Sequence, residues 1–198
     1  MKTVLKALAA VLVLGCAQTA QATPIQFKAI LSGSNESPPN ASPGFGQAIV
    51  FLDPALNTMQ VDVIFGGLLG TTTASHIHCC TATPLAGTAG VATVTPTFTG
   101  FPGGVTSGTY SHLFDMSLAS SYNPSFITAH GGTPLSAETF LFAGIEANEA
   151  YLNIHSTSFP GGEIRGFLVF VPEPVTLTVF GAGLGGVALL RRRRRNKA

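Results

Sequence analysis

The chain has 198 residues, with Lys+Arg 10 against Asp+Glu 9, a formal net charge of +1, and 3 cysteines. The near-neutral balance is local. Lys2, Lys6, Lys197 and Arg191 through Arg195 lie at the two ends, while residues 23–171 carry only Lys28 and Arg165 against Glu36, Asp53, Asp62, Asp115, Glu138, Glu146, Glu149 and Glu163, a net charge of −6. A domain this acidic does not hold a polyanion by charge, which excludes nucleic acid as a partner, and so few cysteines exclude a multi-disulfide scaffold.

In chain order, Lys2 and Lys6 precede an apolar run at 7–15 and an Ala20-Gln21-Ala22 cleavage motif. This is the layout of a signal peptide over residues 1–22, with the mature protein starting at Thr23. Val13-Leu14-Gly15-Cys16 offers a poorer rival, a lipoprotein box, because Leu14 is bulky for it. Strands are predicted at 25–32, 46–53 and 58–65, the last alternating Met59, Val61, Val63 and Phe65 with polar Gln60 and Asp62. A Pro-rich connection fills 33–45 and a turn 54–57. Further strands are predicted at 74–80 and 109–118, with looser strand character at 91–98. Asn123-Pro124 and Thr133-Pro134 each pair a capping residue with Pro at the first helical position. They predict helices at 124–129 and 134–147, the second turning Leu141, Phe142 and Ile145 inward. A closing hairpin begins at Tyr151, turns at Pro160-Gly161-Gly162 and returns through Phe170, with Tyr151, Asn153 and His155 on one face and Leu152 and Ile154 on the other.

After Val171 come Pro172-Glu173-Pro174, an apolar run at 175–190 and five arginines. Sixteen residues fall short of the ~20 that a spanning helix usually needs. The arginines hold the end of that short transmembrane segment on the cytoplasmic side. Gly181, Gly183 and Gly186 satisfy a G-x-G-x-x-G pattern, but no strand–helix unit or later acidic residue accompanies it, so it is not a dinucleotide site. The alternating runs and turns predict one domain over 23–171, an antiparallel β-sandwich of seven or eight strands, immunoglobulin-like or superoxide-dismutase-like, with a small helical insertion.

His76 and His78 are two apart on a predicted strand and share a face; if the strand continues, Cys80 joins them. His155 on another strand can complete the set, with Asn153 or Glu163 nearby. Imidazole and thiolate suit a single Zn or Cu ion, and Glu163 is the first candidate to accept the second N–H of a ligating ring. The alternative is that the histidines hydrogen-bond to the backbone or to Glu163 and fix the sheet ends. Adjacent Cα atoms lie ~3.8 Å apart, below the ~4.4–6.8 Å usual for disulfides. Cys79 and Cys80 therefore form a vicinal ring, link two chains or act as ligands. Arg165 is an ion-pair partner for Glu163 or for Glu36, as structural glue or as a ligand clamp. No Ser-His-Asp order or paired-carboxylate spacing points to a hydrolase.

Three motifs stand in fixed order: Leu31-Ser32-Gly33 with Glu36-Ser37-Pro38-Pro39, then Ala74-Ser75-His76-Ile77-His78, then Tyr151 through Gly166. Together they resemble the CHRD domain, a module widespread in bacterial exported proteins; Ser75 beside His76 departs slightly from its pattern, and the residue 80–148 insertion lies outside the resemblance. Pro172-Glu173-Pro174, the apolar run and the arginine cluster resemble a PEP-CTERM sorting signal over residues 172–198. That resemblance implies a Gram-negative host, processing by signal peptidase and an exosortase, transient anchoring in the inner membrane by the tail, and delivery to the cell surface or extracellular matrix. The reading that follows is a non-enzymatic binding or structural module, in contact with exopolysaccharide or other surface proteins. The alternative is a Zn- or Cu-binding protein, with redox activity by analogy to copper-zinc superoxide dismutases, which also carry H-x-H on a sandwich strand.

Overall fold

The computed structural model describes residues 23–172. The leader at 1–22 and the tail beyond Pro172, with Glu173 and Pro174, lie outside the described residues. No helix among the described residues is long and apolar enough to cross a membrane.

Eight strands are present: β1 (Ile25–Ser32), β2 (Phe45–Asp53), β3 (Thr58–Gly66), β4 (Thr72–His78), β5 (Gly108–Asp115), β6 (Tyr151–Ser156), β7 (Ile164–Phe167) and β8 (Val169–Phe170). All pair antiparallel in the order β4-β6-β7-β1-β2-β3-β5, with β8 also on β1. The predicted sandwich is thus seen as one antiparallel sheet curled into a half-barrel. The two halves join between β1 and β7 at the single pair Ser32↔Arg165. Alternation shows that a strand buries one face; it does not reveal which strands share hydrogen bonds.

The β1–β2–β3 meander forms where the sequence places it, and its alternation fills the core. Met59, Val61, Val63 and Phe65 are buried, facing inward with Phe27 and Leu31 of β1 and Val50 and Leu52 of β2. Each such side chain contributes about 1.5–3 kcal/mol on burial. The helices are α1 (Pro124–Ala129) and α2 (Pro134–Glu146). Asn123 caps the first by accepting from the Ser125 N–H, and Thr133 and Ser136 form a reciprocal capping box on the second. Leu141, Phe142 and Ile145 of α2 are buried in the core, as their spacing predicts.

Two strands end earlier than the sequence pattern suggests. β5 stops at Asp115, whose Oδ1 accepts the Ser117 N–H at 2.9 Å and turns the chain. β4 stops at His78, and the next two residues are joined by a Cys79–Cys80 disulfide. The segment predicted as loose strand runs along the free edge of β4 instead of forming a full strand. It bonds through Ala92 N to Ile77 O at 2.9 Å and Phe98 N to Ser75 O at 2.8 Å. The hydroxyls of Thr93 and Thr97 accept from Ile77 N and Ser75 N. The insertion therefore closes an edge that would otherwise expose unpaired backbone.

The disulfide packs against α2 at Gly144, where a Cβ would collide with both sulfurs. Glycine inside a helix ordinarily costs about 1 kcal/mol relative to alanine, so replacement normally stabilises. Here overpacking, typically about 1–3 kcal/mol, reverses the sign. Gly144→Ala is expected to lower the melting temperature under oxidising conditions; an unchanged or raised value would show that the disulfide does not pack on the helix in this way.

Candidate metal centre

β4 and β6 are adjacent, with Ala74 opposite His155, His76 opposite Asn153 and His78 opposite Tyr151. Because side chains two apart share a face, this register gathers His76, His78 and His155 on one side of the sheet. Their available ligand atoms lie within 4.8 Å of one another. His76 is buried and the other two are half-buried.

Each ring is anchored at Nδ1 by a backbone carbonyl. His76 bonds to Pro96 O at 3.0 Å, His78 to Ala89 O at 2.8 Å and His155 to Pro160 O at 2.9 Å. A carbonyl oxygen can only accept, so each Nδ1 carries the proton. A neutral imidazole then has no second N–H, and its Nε2 is a bare lone pair. His76 Nε2 and His155 Nε2 nevertheless stand 2.9 Å apart, and the buried His78 Nε2 has no hydrogen-bond partner. Two facing lone pairs repel one another, and a cation between them, a proton or a metal, would relieve that repulsion.

The proton is disfavoured. Burial, then repulsion from His78 and His155, pulls His76 down to about 4, against the opposing pull of the Pro96 carbonyl. Burial likewise lowers His78 to about 4, opposed by the Ala89 carbonyl and aided by the charges of His155 and Arg165. Burial also lowers His155, with the Pro160 carbonyl opposing. At neutral pH the cluster presents three neutral nitrogen donors. Ligand nitrogens about 2.0–2.1 Å from a tetrahedral metal lie roughly 3.3 Å apart, within the span of these atoms.

The other candidates separate from the cluster. Cys80, predicted as a fourth ligand, is not on the histidine face: β4 ends two residues earlier, and its sulfur is bonded to Cys79 and lies 4.0 Å from the Phe140 carbonyl of α2. Glu163 does not hold any ring N–H. It accepts from Ser42 Oγ at 2.6 Å, from the N–H of Leu69 and from that of Gly70 at 3.2 Å. Burial raises its pKa, but these bonds and one from Ser156 outweigh that effect and hold it below the ordinary value. Glu163 thus ties the 42 and 69–70 loops to the hairpin. Arg165 takes Glu36 rather than Glu163 as its ion partner, at 3.9 Å, and its Nε donates to Asn35 O. Asn153 is buried beside His76, with its Oδ1 lacking a partner. His112 packs on Phe114 and His130 on Phe140; neither joins the cluster.

The backbone alternative read from the sequence is the one seen at each Nδ1, although which carbonyls serve was not legible, because a backbone group carries no side-chain signature. Sequence reasoning missed the role of Tyr151. Its ring stacks on His78 at 4.7 Å, and its hydroxyl bonds the same Ala89 peptide that anchors that histidine. The cross-strand pairing of the H-x-H and Y-x-N-x-H strands was the signal that could have found it.

An antiparallel β-rich domain carrying a three-histidine cluster is the class that fold and site define. A CHRD domain profile matches residues 27–168, and the chain belongs to the CHRD domain family. No curated protein and no solved structure matches the chain significantly.

The histidine values set a pH dependence. Their folded pKa values lie below the ordinary 6.5, so between about 4 and 6.5 the unfolded chain binds more protons. Their stabilising contribution is present above that range and is lost as pH falls through it. Glu36, raised to about 7 by burial despite Arg165 and the Ser37 N–H, acts oppositely and destabilises as pH rises from 4.5 to about 7. In urea unfolding of metal-free protein, the stability difference between wild type and His76→Gln/His78→Gln is expected to shrink as pH falls from about 6.5 to about 4. A difference that grows on acidification would contradict the buried neutral cluster.

Proposed function

We propose that this CHRD domain is a metal-binding module of an exported surface or matrix protein, holding one Zn or Cu ion through Nε2 of His76, His78 and His155. The observation that carries this reading is the 2.9 Å approach of two Nε2 atoms whose Nδ1 atoms are both committed to carbonyls. Nitrogen donors without carboxylates suit Zn or Cu better than Mg or Ca. An ion bound by three neutral imidazoles keeps its charge and an open position, from which it can polarise a ligand. Within the domain, Pro96, Ala89 and Pro160 orient the rings and Tyr151 backs His78, as partners of ligating histidines do. Unlike superoxide dismutases, the cluster has no partner group for a second metal among the described residues.

Address and processing complete the proposal. The 1–22 leader directs export and is removed by signal peptidase, and the 172–198 signal is read by an exosortase, so the protein ends at the cell surface or in the extracellular matrix. The motif order at the two ends supports this.

Elemental analysis of the purified chain is expected to give one Zn or Cu per chain, lost in a His76→Ala/His78→Ala/His155→Ala variant and kept in Cys80→Ser. Wild-type protein that takes up neither metal would leave the histidines structural. Separately, the mass of the protein recovered outside the cell is expected to match a chain beginning at Thr23 and lacking Arg191 through Arg195. A mature species still carrying the arginines would refute the sorting assignment.

A further inference from the structure

Lys28 and Arg165 are the two basic residues of 23–171, and they line the same groove, of about 710 Å³. Such a volume suits a small ligand. Its walls include Ile30, Leu85, Phe167 and Val169, of which Ile30, Leu85 and Val169 are exposed. Arg165 is only 5% exposed. Its Nε donates to the Asn35 carbonyl, and among the described residues its four Nη–H donors have no acceptor. Neither Nη nitrogen is shut off from solvent, so the guanidinium presents its fork to the groove floor.

The fork is held rigidly, with Cζ 4.6 Å from the Tyr151 ring centroid and 5.8 Å from that of Phe167. Glu36 does not satisfy it: its Oε2 stands 3.9 Å from Nε, beyond hydrogen-bond reach, and its Oε1 has no partner. A buried arginine with an unpaired planar fork matches a carboxylate bidentately. Lys28, exposed at the rim, adds a second positive charge in an otherwise acidic domain.

We infer that this groove binds a small carboxylate carried on an apolar body, its oxygens on the Arg165 Nη atoms and its body against Ile30, Phe167 and Val169. The site is separate from the histidine cluster. β6 runs between β4 and β7, so the Tyr151 ring has His78 on one side and Arg165 on the other.

Calorimetric titration of the purified chain tests this with octanoate, octanol and oligogalacturonate. Octanoate is expected to bind one per chain and octanol at least about tenfold more weakly, the size of one charged hydrogen-bond pair. Arg165→Gln is expected to abolish binding. Because that variant removes a buried group, Lys28→Glu serves beside it: Lys28 is exposed and its side chain makes no hydrogen bond or ion pair among the described residues, so the variant should fold normally and weaken octanoate several-fold. Above pH 7, where the Glu36 carboxyl is ionised, Glu36→Gln removes the neighbouring negative charge and should tighten binding. Equal binding of octanol, no effect of Lys28→Glu, or binding of oligogalacturonate in place of octanoate would each overturn the inference.

Discussion

Each imidazole of the cluster spends its single proton on a backbone carbonyl, and that constraint governs the site. Were the Nδ1 of His76 or of His155 free, that ring could place its proton on Nε2 and the 2.9 Å contact would be an ordinary hydrogen bond. With Pro96, Ala89 and Pro160 as acceptors, no such exchange is open without charging a buried ring. Three carbonyls from two different chain segments thus convert a row of strand histidines into a convergent set of lone pairs. Two of the carbonyls come from the stretch that seals the edge of β4, so the same insertion segment completes the sheet and sets the tautomers.

The closing hairpin connects this chemistry to the rest of the fold. Its turn supplies the Pro160 carbonyl, and its first returning residue, Glu163, gathers two loops onto the sheet by accepting their N–H and hydroxyl groups. Two residues on, Arg165 reaches the Asn35–Glu36 turn and stacks on Tyr151. The P-G-G-E-I-R-G run is therefore a chain of separate tasks: turn, loop anchor, core residue, guanidinium platform. Glu163 and Arg165 have opposite charges but different partners, because Glu163 precedes β7 and faces the 69–70 loop while Arg165 lies within the strand.

What was legible in the sequence was whatever period and punctuation encode. The β1–β3 meander reads from strict alternation, and both helices from an N-cap followed by proline; the observed bounds agree to within a residue or so. The three histidines were legible because an H-x-H row and a Y-x-N-x-H row can share only one face each. The failures have physical causes. Cys80 was placed by extending β4 two residues too far, where bonding between neighbouring cysteines ends the strand. Glu163 stands as the first candidate for a ring N–H, beside the backbone, because a carboxylate is visible in a sequence; the acceptors are carbonyls that any residue could supply. The single curled sheet was not readable, since burial of a strand face leaves open which strands pair.

A metal held by three Nε2 atoms and no sulfur has a distinct signature in X-ray absorption fine structure of the Zn- or Cu-loaded chain. The expected result is a nitrogen shell at about 2.0–2.1 Å with the outer-shell scattering of three imidazole rings and no sulfur contribution. A sulfur shell near 2.3 Å, or scattering from fewer than three imidazoles, would contradict it.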